Sequence, residues 1–356
     1  MAKTTKMLST NEFAKLLENP LGIDEDVVKQ HIEFDEEYAL IFADIWNSET
    51  STFNSTSHNC AEEIYDILGK KRYVNALNNL AKNGTNYDER FLITIGKYAI
   101  FEILTKIKTI YWLTGCDIMK GACIGNQVEV VRFLKIRMKS EFFTLNPLCK
   151  ACEEGSLVIF NYLHSFGNVF SSTEMKFSIF YTVRWCQYTS ERISILSALC
   201  KNKQYANKKS IQRAAGVINF NSKNIVQVLQ CFMNTGLLDI NKKDYRADRL
   251  NYDYDVTIVK IPIWIKVIDK CSTESLEFFI KQKNIDINIE LTVHCSDFED
   301  RYRIYKISPL EFEIVIHNEW YRSSDSLNII KMLLTCPNLT INEKEKYMLD
   351  KLGIEY

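Results

Sequence analysis

Apolar residues recur along this chain in one figure: a pair, a single intervening residue, then a second pair. Ile159-Phe160, Asn161, Tyr162-Leu163 is a full copy. Positions i, i+1, i+3 and i+4 fall on one side of an α-helix, so the figure predicts a short helix with one buried face. Upstream of it Ala151-Cys152 marks a second short helix, and Gly155 stands between the two, where the chain needs a left-handed stop. The figure returns at Ile100-Phe101/Ile103-Leu104 after Gly96, and at Val130-Val131/Phe133-Leu134 after Asn126, asparagine being the next best residue for such a stop. A weaker copy, Tyr73-Val74/Ala76-Leu77, follows Gly69. Later copies are Ile195-Leu196/Ala198-Leu199, Ile225-Val226/Val228-Leu229, Ser275-Leu276/Phe278-Phe279 and Ile329-Ile330/Met332-Leu333. The first pair therefore steps through 73, 100, 130, 159, 195, 225, 275 and 329. A period near thirty built of helix–turn–helix units predicts a solenoid.

Residues 146–167, NPLCKACEEGSLVIFNYLHSFG, resemble a divergent ankyrin repeat, with Pro147, Leu148, Ala151, Gly155, Leu163 and Gly167 in the places of that family's pattern. Ala122, Glu129, Val130, Val131 and Leu134 match it one copy earlier. Asp239-Ile240-Asn241 and Asp286-Ile287-Asn288 resemble the family's closing D-V-N, and Ser308-Pro309-Leu310 its T-P-L opening. The resemblance covers roughly residues 60–342 and implies an all-α repeat protein, an ankyrin-like helix–turn–helix α-solenoid with β-hairpin fingers. The array is expected over 59–342. Residues 1–58 are read as a helical cap and a Ser/Thr/Asn linker, with a separate recruitment module as the alternative, and 343–356 as a C-terminal capping helix. Ser9 and Glu12 have capping-box spacing ahead of the first helix.

Cys149 and Cys152 have the C-x-x-C spacing of redox and zinc centres. In the repeat frame Cys152, like Cys123, takes a position that wants a small apolar side chain, and Cys149 the usual histidine position, so packing is expected of these sulfurs. The eleven cysteines are scattered, which reads as reduced thiol. The close His/Cys pairs, His58 with Cys60 and His294 with Cys295, lack a second half for a zinc site. Phosphate-loop, nucleophile-elbow and dinucleotide motifs are missing. No cofactor is expected.

A net charge of −1, from 44 basic and 45 acidic side chains, gives no electrostatic case for nucleic acid or anionic lipid. Twelve glycines and five prolines are few for this length, as in a helical chain with few tight turns. The first residues lack the apolar core of a signal peptide, and no apolar run is long enough to span a membrane. The expectation is a cytoplasmic monomer.

Two intervals are long. From Asn241 to Pro262, and again from Asn288 to Pro309, the chain runs 21 residues. Both segments alternate as half-buried strands do, which predicts two elongated β-hairpin fingers lying side by side. Arg246, Arg249, Tyr252 and Tyr254 stand on the first, and Arg301, Tyr302, Arg303 and Tyr305 on the second. Arginine and tyrosine are enriched where interfaces concentrate their energy, though cross-strand pairing accounts for the tyrosines equally well. The expected function is a non-enzymatic scaffold that binds a protein partner through its concave face and these fingers. The competing reading is a cysteine-dependent enzyme with an unrecognised site.

Overall fold

The computed structural model describes residues 7–18, 24–46, 58–81, 89–167, 169–184, 187–243, 245, 256–258, 261–270, 272–296, 302–319 and 324–356. Among them are twenty α-helices and one three-stranded sheet, so the chain is mostly helical. It divides into two compact units, Met1–Glu174 and Met175–Tyr356.

The first unit holds α1 (Thr10–Glu18), α2 (Glu25–Phe34), α3 (Glu36–Trp46), α4 (His58–Lys71), α5 (Val74–Ala81), α6 (Glu89–Lys97) and α7 (Phe101–Leu104). Then come α8 (Trp112–Ile124), α9 (Val128–Met138), a 3-10 helix (Lys139–Leu145), α10 (Pro147–Glu154) and α11 (Leu157–His164). Between α2 and α11 each helix packs on a chain neighbour and on a helix two places away in the chain. One row runs α2, α4, α6, α8, α10, and α3 lies against α5, α5 against α7, and α9 against α11. The row continues through α4, so packing does not break at residue 58. At the start of α1 the Ser9 and Glu12 backbone amides each bond the other's side chain, at 2.8 and 3.4 Å, as their spacing predicts. His31, fully buried, ties this end together. Its Nε2 accepts the Leu8 amide at 2.8 Å, its Nδ1 lies 2.7 Å from the Val27 carbonyl, and its ring stacks on Phe13. Since Nε2 accepts, the proton sits on Nδ1.

The second unit contains α12 (Ser172–Val183) from Met175 onward, then α13 (Ser190–Lys201), α14 (Lys208–Ala215) and α15 (Ile225–Met233). It continues with β1 (Val256–Ile258), α16 (Ile263–Asp269), α17 (Thr273–Ile280), β2 (Leu291–Ser296), β3 (Tyr302–Ile307), α18 (Pro309–Glu319), α19 (Ser324–Leu334) and α20 (Glu343–Leu352). The alternate-helix pattern recurs: α13, α15, α17 and α19 form one row, and α16, α18 and α20 another.

Burial corrects the register in three copies. In every copy the deeply buried positions include a pair n, n+1: 76/77, 103/104, 130/131, 159/160, 195/196, 228/229, 275/276 and 329/330. The apolar pattern alone places the first pair at 73, 100 and 225 in three of these, three residues early. The turn explains the slip. Positive φ falls on Arg72, Ala99, Asn126, Gly155 and Asn224, in each case four residues ahead of the buried pair. Gly69 and Gly96, expected as the left-handed stops, lie inside α4 and α6 instead.

Those glycines serve contact. A Cβ on Gly96 would stand 2.3 Å from the Ile118 carbonyl oxygen, and one on Gly121 only 2.0 Å from that of Ile93. α6 and α8 thus meet backbone to backbone, an approach that only a bare Cα permits.

In the second unit asparagines do the joining. Asn241 donates from Nδ2 to the Asn284 carbonyl at 2.7 Å and accepts the Asp286 amide on Oδ1 at 3.0 Å. Asn288 repeats this on the next exit loop, with the Asn338 carbonyl at 2.7 Å and the Thr340 amide at 2.8 Å. Asn342, the next in register, forms a capping box with Glu345 at the start of α20. Both asparagines stand in the D-I-N segments that carry the family resemblance.

Candidate interaction surface

The long intervals place their backbones in a single sheet. β2 and β3 pair antiparallel from Leu291 opposite Ile307 to Ser296 opposite Tyr302. β1, from the first interval, pairs antiparallel with β2, Val256 opposite Cys295 and Ile258 opposite Val293. The first interval closes on itself at its base, where Tyr245 and Ile261 exchange N–H···O=C bonds of 3.1 and 2.7 Å. The bases of the two intervals are joined as well: Lys243 Nζ donates to the Glu290 carbonyl, and the Glu290 carboxylate pairs with Lys306 at 2.9 Å.

Of the eight residues singled out in the sequence, Tyr302, Arg303 and Tyr305 lie on β3, opposite Ser296, Cys295 and Val293. Alternation along a strand puts positions 303 and 305 on one face of the sheet, with Leu291 and Ile307, and position 302 on the other. Arg246, Arg249, Tyr252, Tyr254 and Arg301 lie outside the described residues.

Cys149 and Cys152 are reduced and buried in α10. Cys149 Sγ donates to the Glu174 carbonyl at 3.4 Å. The Glu174 side chain, 3 % exposed, accepts the Leu148 amide at 2.9 Å and caps the first turn of α10 from 26 residues away. Asn146, the residue at the cap position itself, offers no side-chain bond. Burial pushes the Glu174 carboxyl up to about 7, against the lowering effect of the Leu148 and Cys149 amides.

A cleft in the second unit brings Cys200 of α13 and Cys231 of α15 to its wall, beside Lys201, Lys203 and Asn207. Burial raises both thiols, Cys200 to about 12. It also raises Cys116, Cys123 and Cys336. A thiol held protonated is a poor nucleophile. Among the described residues no group of His, Cys, Asp and Glu is placed to hold a metal ion, and no helix is long and apolar enough to cross a membrane.

The apolar figure does not point to a cationic face on α14, although Lys208, Lys209 and Arg213 stand at the i, i+1, i+5 spacing that would have marked it. Comparison with protein-family models, with curated proteins and with solved structures returned no match.

Proposed function

We propose that the chain is a non-enzymatic protein-interaction scaffold: an ankyrin-like α-solenoid whose helix pairs present a concave face and two elongated hairpin fingers to a protein partner. The observation that carries this reading is the alternate-helix packing within each unit, in rows α2 to α10, α13 to α19 and α16 to α20, together with a left-handed turn four residues ahead of a buried pair in five copies. Neighbour-only packing of near-identical pairs is how repeat proteins bury a continuous core while leaving long surfaces for binding. The Asn241 and Asn288 bridges add support, because they fall at matching positions of successive copies. The pairing of β1 with β2 supports two fingers lying side by side. A cytoplasmic monomer without a cofactor belongs to the same reading.

Partner capture from native cells, followed by mass spectrometry, tests it. The chain should retain a specific protein, and replacing Tyr252, Tyr254, Tyr302 and Tyr305 with Ser should abolish retention while helical circular dichroism stays intact. Retention no greater than that of an unrelated helical protein would sink the scaffold reading. The cysteine-enzyme alternative predicts one thiol that reacts with a broad thiol probe far faster than the rest. The raised thiols count against it, and uniformly slow labelling would remove it.

A further inference from the structure

The second unit carries a groove along the exposed side of α14, lined by Lys208, Lys209, Gln212, Arg213, Lys242 and Lys266. No carboxylate stands among its described lining residues. Lys208, Lys209, Gln212 and Arg213 follow the i, i+1, i+4, i+5 spacing of one helical face. Among the described residues the side chains of Lys208, Lys209 and Arg213 enter no ion pair or hydrogen bond. The Arg213 guanidinium lies 4.3 and 5.2 Å from the ring centroids of Phe177 and Phe180, so aromatic rings hold it in place with its N–H groups uncommitted. Lys266 donates from Nζ to the Gly216 carbonyl at 2.8 Å, which anchors a fourth cation where α14 ends. In a chain of net charge −1, this is a local concentration of positive charge.

Gln212 gives the second, independent observation. The residue is 7 % exposed, and neither its Oε1 nor its Nε2 has a hydrogen-bond partner. Leaving a buried polar group unmet costs about 1–3 kcal/mol, and folded proteins rarely leave one so. A primary amide sets an acceptor beside a donor, the complement of the N–H and C=O of a peptide group. Phosphate offers mainly acceptors and would leave Oε1 without a donor.

We propose that this groove binds an extended acidic peptide segment of a protein partner. One peptide group of the segment exchanges paired hydrogen bonds with the Gln212 amide, and flanking carboxylates meet Lys208, Lys209 and Arg213. The arginine fork suits a bidentate carboxylate. The amide atoms are closed off from solvent, so the segment opens the groove as it enters, by the side-chain rotations common at interfaces. The proposal rests on the scaffold reading above and adds to it the chemistry of the partner.

Fluorescence anisotropy of the full chain with a fluorescein-labelled alternating Glu-Ala peptide tests it, with the uncharged Gln-Ala peptide and inorganic phosphate as comparisons. The Glu-Ala peptide should bind at least about tenfold more tightly than Gln-Ala, and binding should weaken as salt rises. Lys209→Glu with Arg213→Glu should lower affinity about tenfold or more, whereas Lys203→Glu, exposed and outside this groove, should leave it unchanged. Gln212→Leu should lower it about fivefold with helical circular dichroism intact, the loss expected for about one net hydrogen bond. Equal binding of the two peptides, or affinity indifferent to the charge reversals, would overturn the proposal. So would displacement by inorganic phosphate with full affinity kept in Gln212→Leu, which would assign the groove to an anion alone. If the peptide fails while partner capture persists, the groove is lost and the scaffold reading stands; if capture fails too, both fall.

Discussion

Gly121 and Asn288 join helix pairs in the two units by opposite means. In the first unit the joint is an omission: a missing Cβ lets the backbone of α8 reach that of α6, where any side chain would meet the Ile93 carbonyl oxygen at 2.0 Å. In the second unit the joint is a side chain, whose amide donates to one carbonyl and accepts one N–H of the next exit loop. The two devices tolerate insertions differently. Backbone contact demands that consecutive pairs sit flush, and in the first unit the positive-φ turns keep a tight spacing at residues 72, 99, 126 and 155. An asparagine bridge fixes only the exit loops and leaves the chain between them to vary. Residues 241, 288 and 342 are correspondingly far apart, and the strands of the sheet lie in the added lengths. Loop-closure entropy rises only slowly with length, so such additions are cheap once their ends are pinned.

The sharpest break of the comparison is Phe160→Ala. Phe160 is 1 % exposed at a buried-pair position of the first unit, so truncation should cost about 3–5 kcal/mol in chemical denaturation. An unchanged midpoint would mean that 159/160 is not the buried pair of α11. Gly121→Ala should cost roughly 1–3 kcal/mol through overpacking against the α6 backbone, and hydrogen exchange should speed up in α6 and α8 first. If it were neutral, the close approach of these helices would not hold in solution.

Glu174 gives a pH signature confined to the first unit. Its carboxyl titrates near 7 when folded against an ordinary 4.5, so between these values the folded state holds the proton more tightly than the unfolded state. Stability from this group is therefore present below about 4.5 and is lost as pH rises through about 7, a change on the order of 3 kcal/mol. Glu174→Gln should flatten that slope in melts taken from pH 5 to 8 (a window set by about 4.5 and 7). An equal slope in the variant would place the titrating group elsewhere. Asn288→Ala should be the mildest change, about 1 kcal/mol, read as faster exchange of the Thr340 amide with helical content unchanged. If Thr340 exchange did not respond, the asparagine bridge would carry no weight, and the contrast between the units would rest on glycine alone.

Local signals in the chain are limited to what neighbouring residues settle among themselves. Which side of a helix is buried depends on residues three and four apart, and a capping box on residues three apart. That is why α11, α9 and the Ser9/Glu12 start of α1 were legible, along with the strand character of residues 291–296 and 302–307. Tertiary contact decided whatever depends on a distant partner. Gly69 and Gly96 look like turn residues, and only the helix opposite shows that they are contact residues, with the turns at Arg72 and Ala99. The cap of α10 comes from Glu174, the partners of Asn241 and Asn288 from loops 43 to 52 residues on, and the neighbour of β1 from another interval of the chain. The face of α14 became a candidate site for the same reason: its charges are visible in sequence, but the unmet amide of Gln212 exists only once the chain has folded around it.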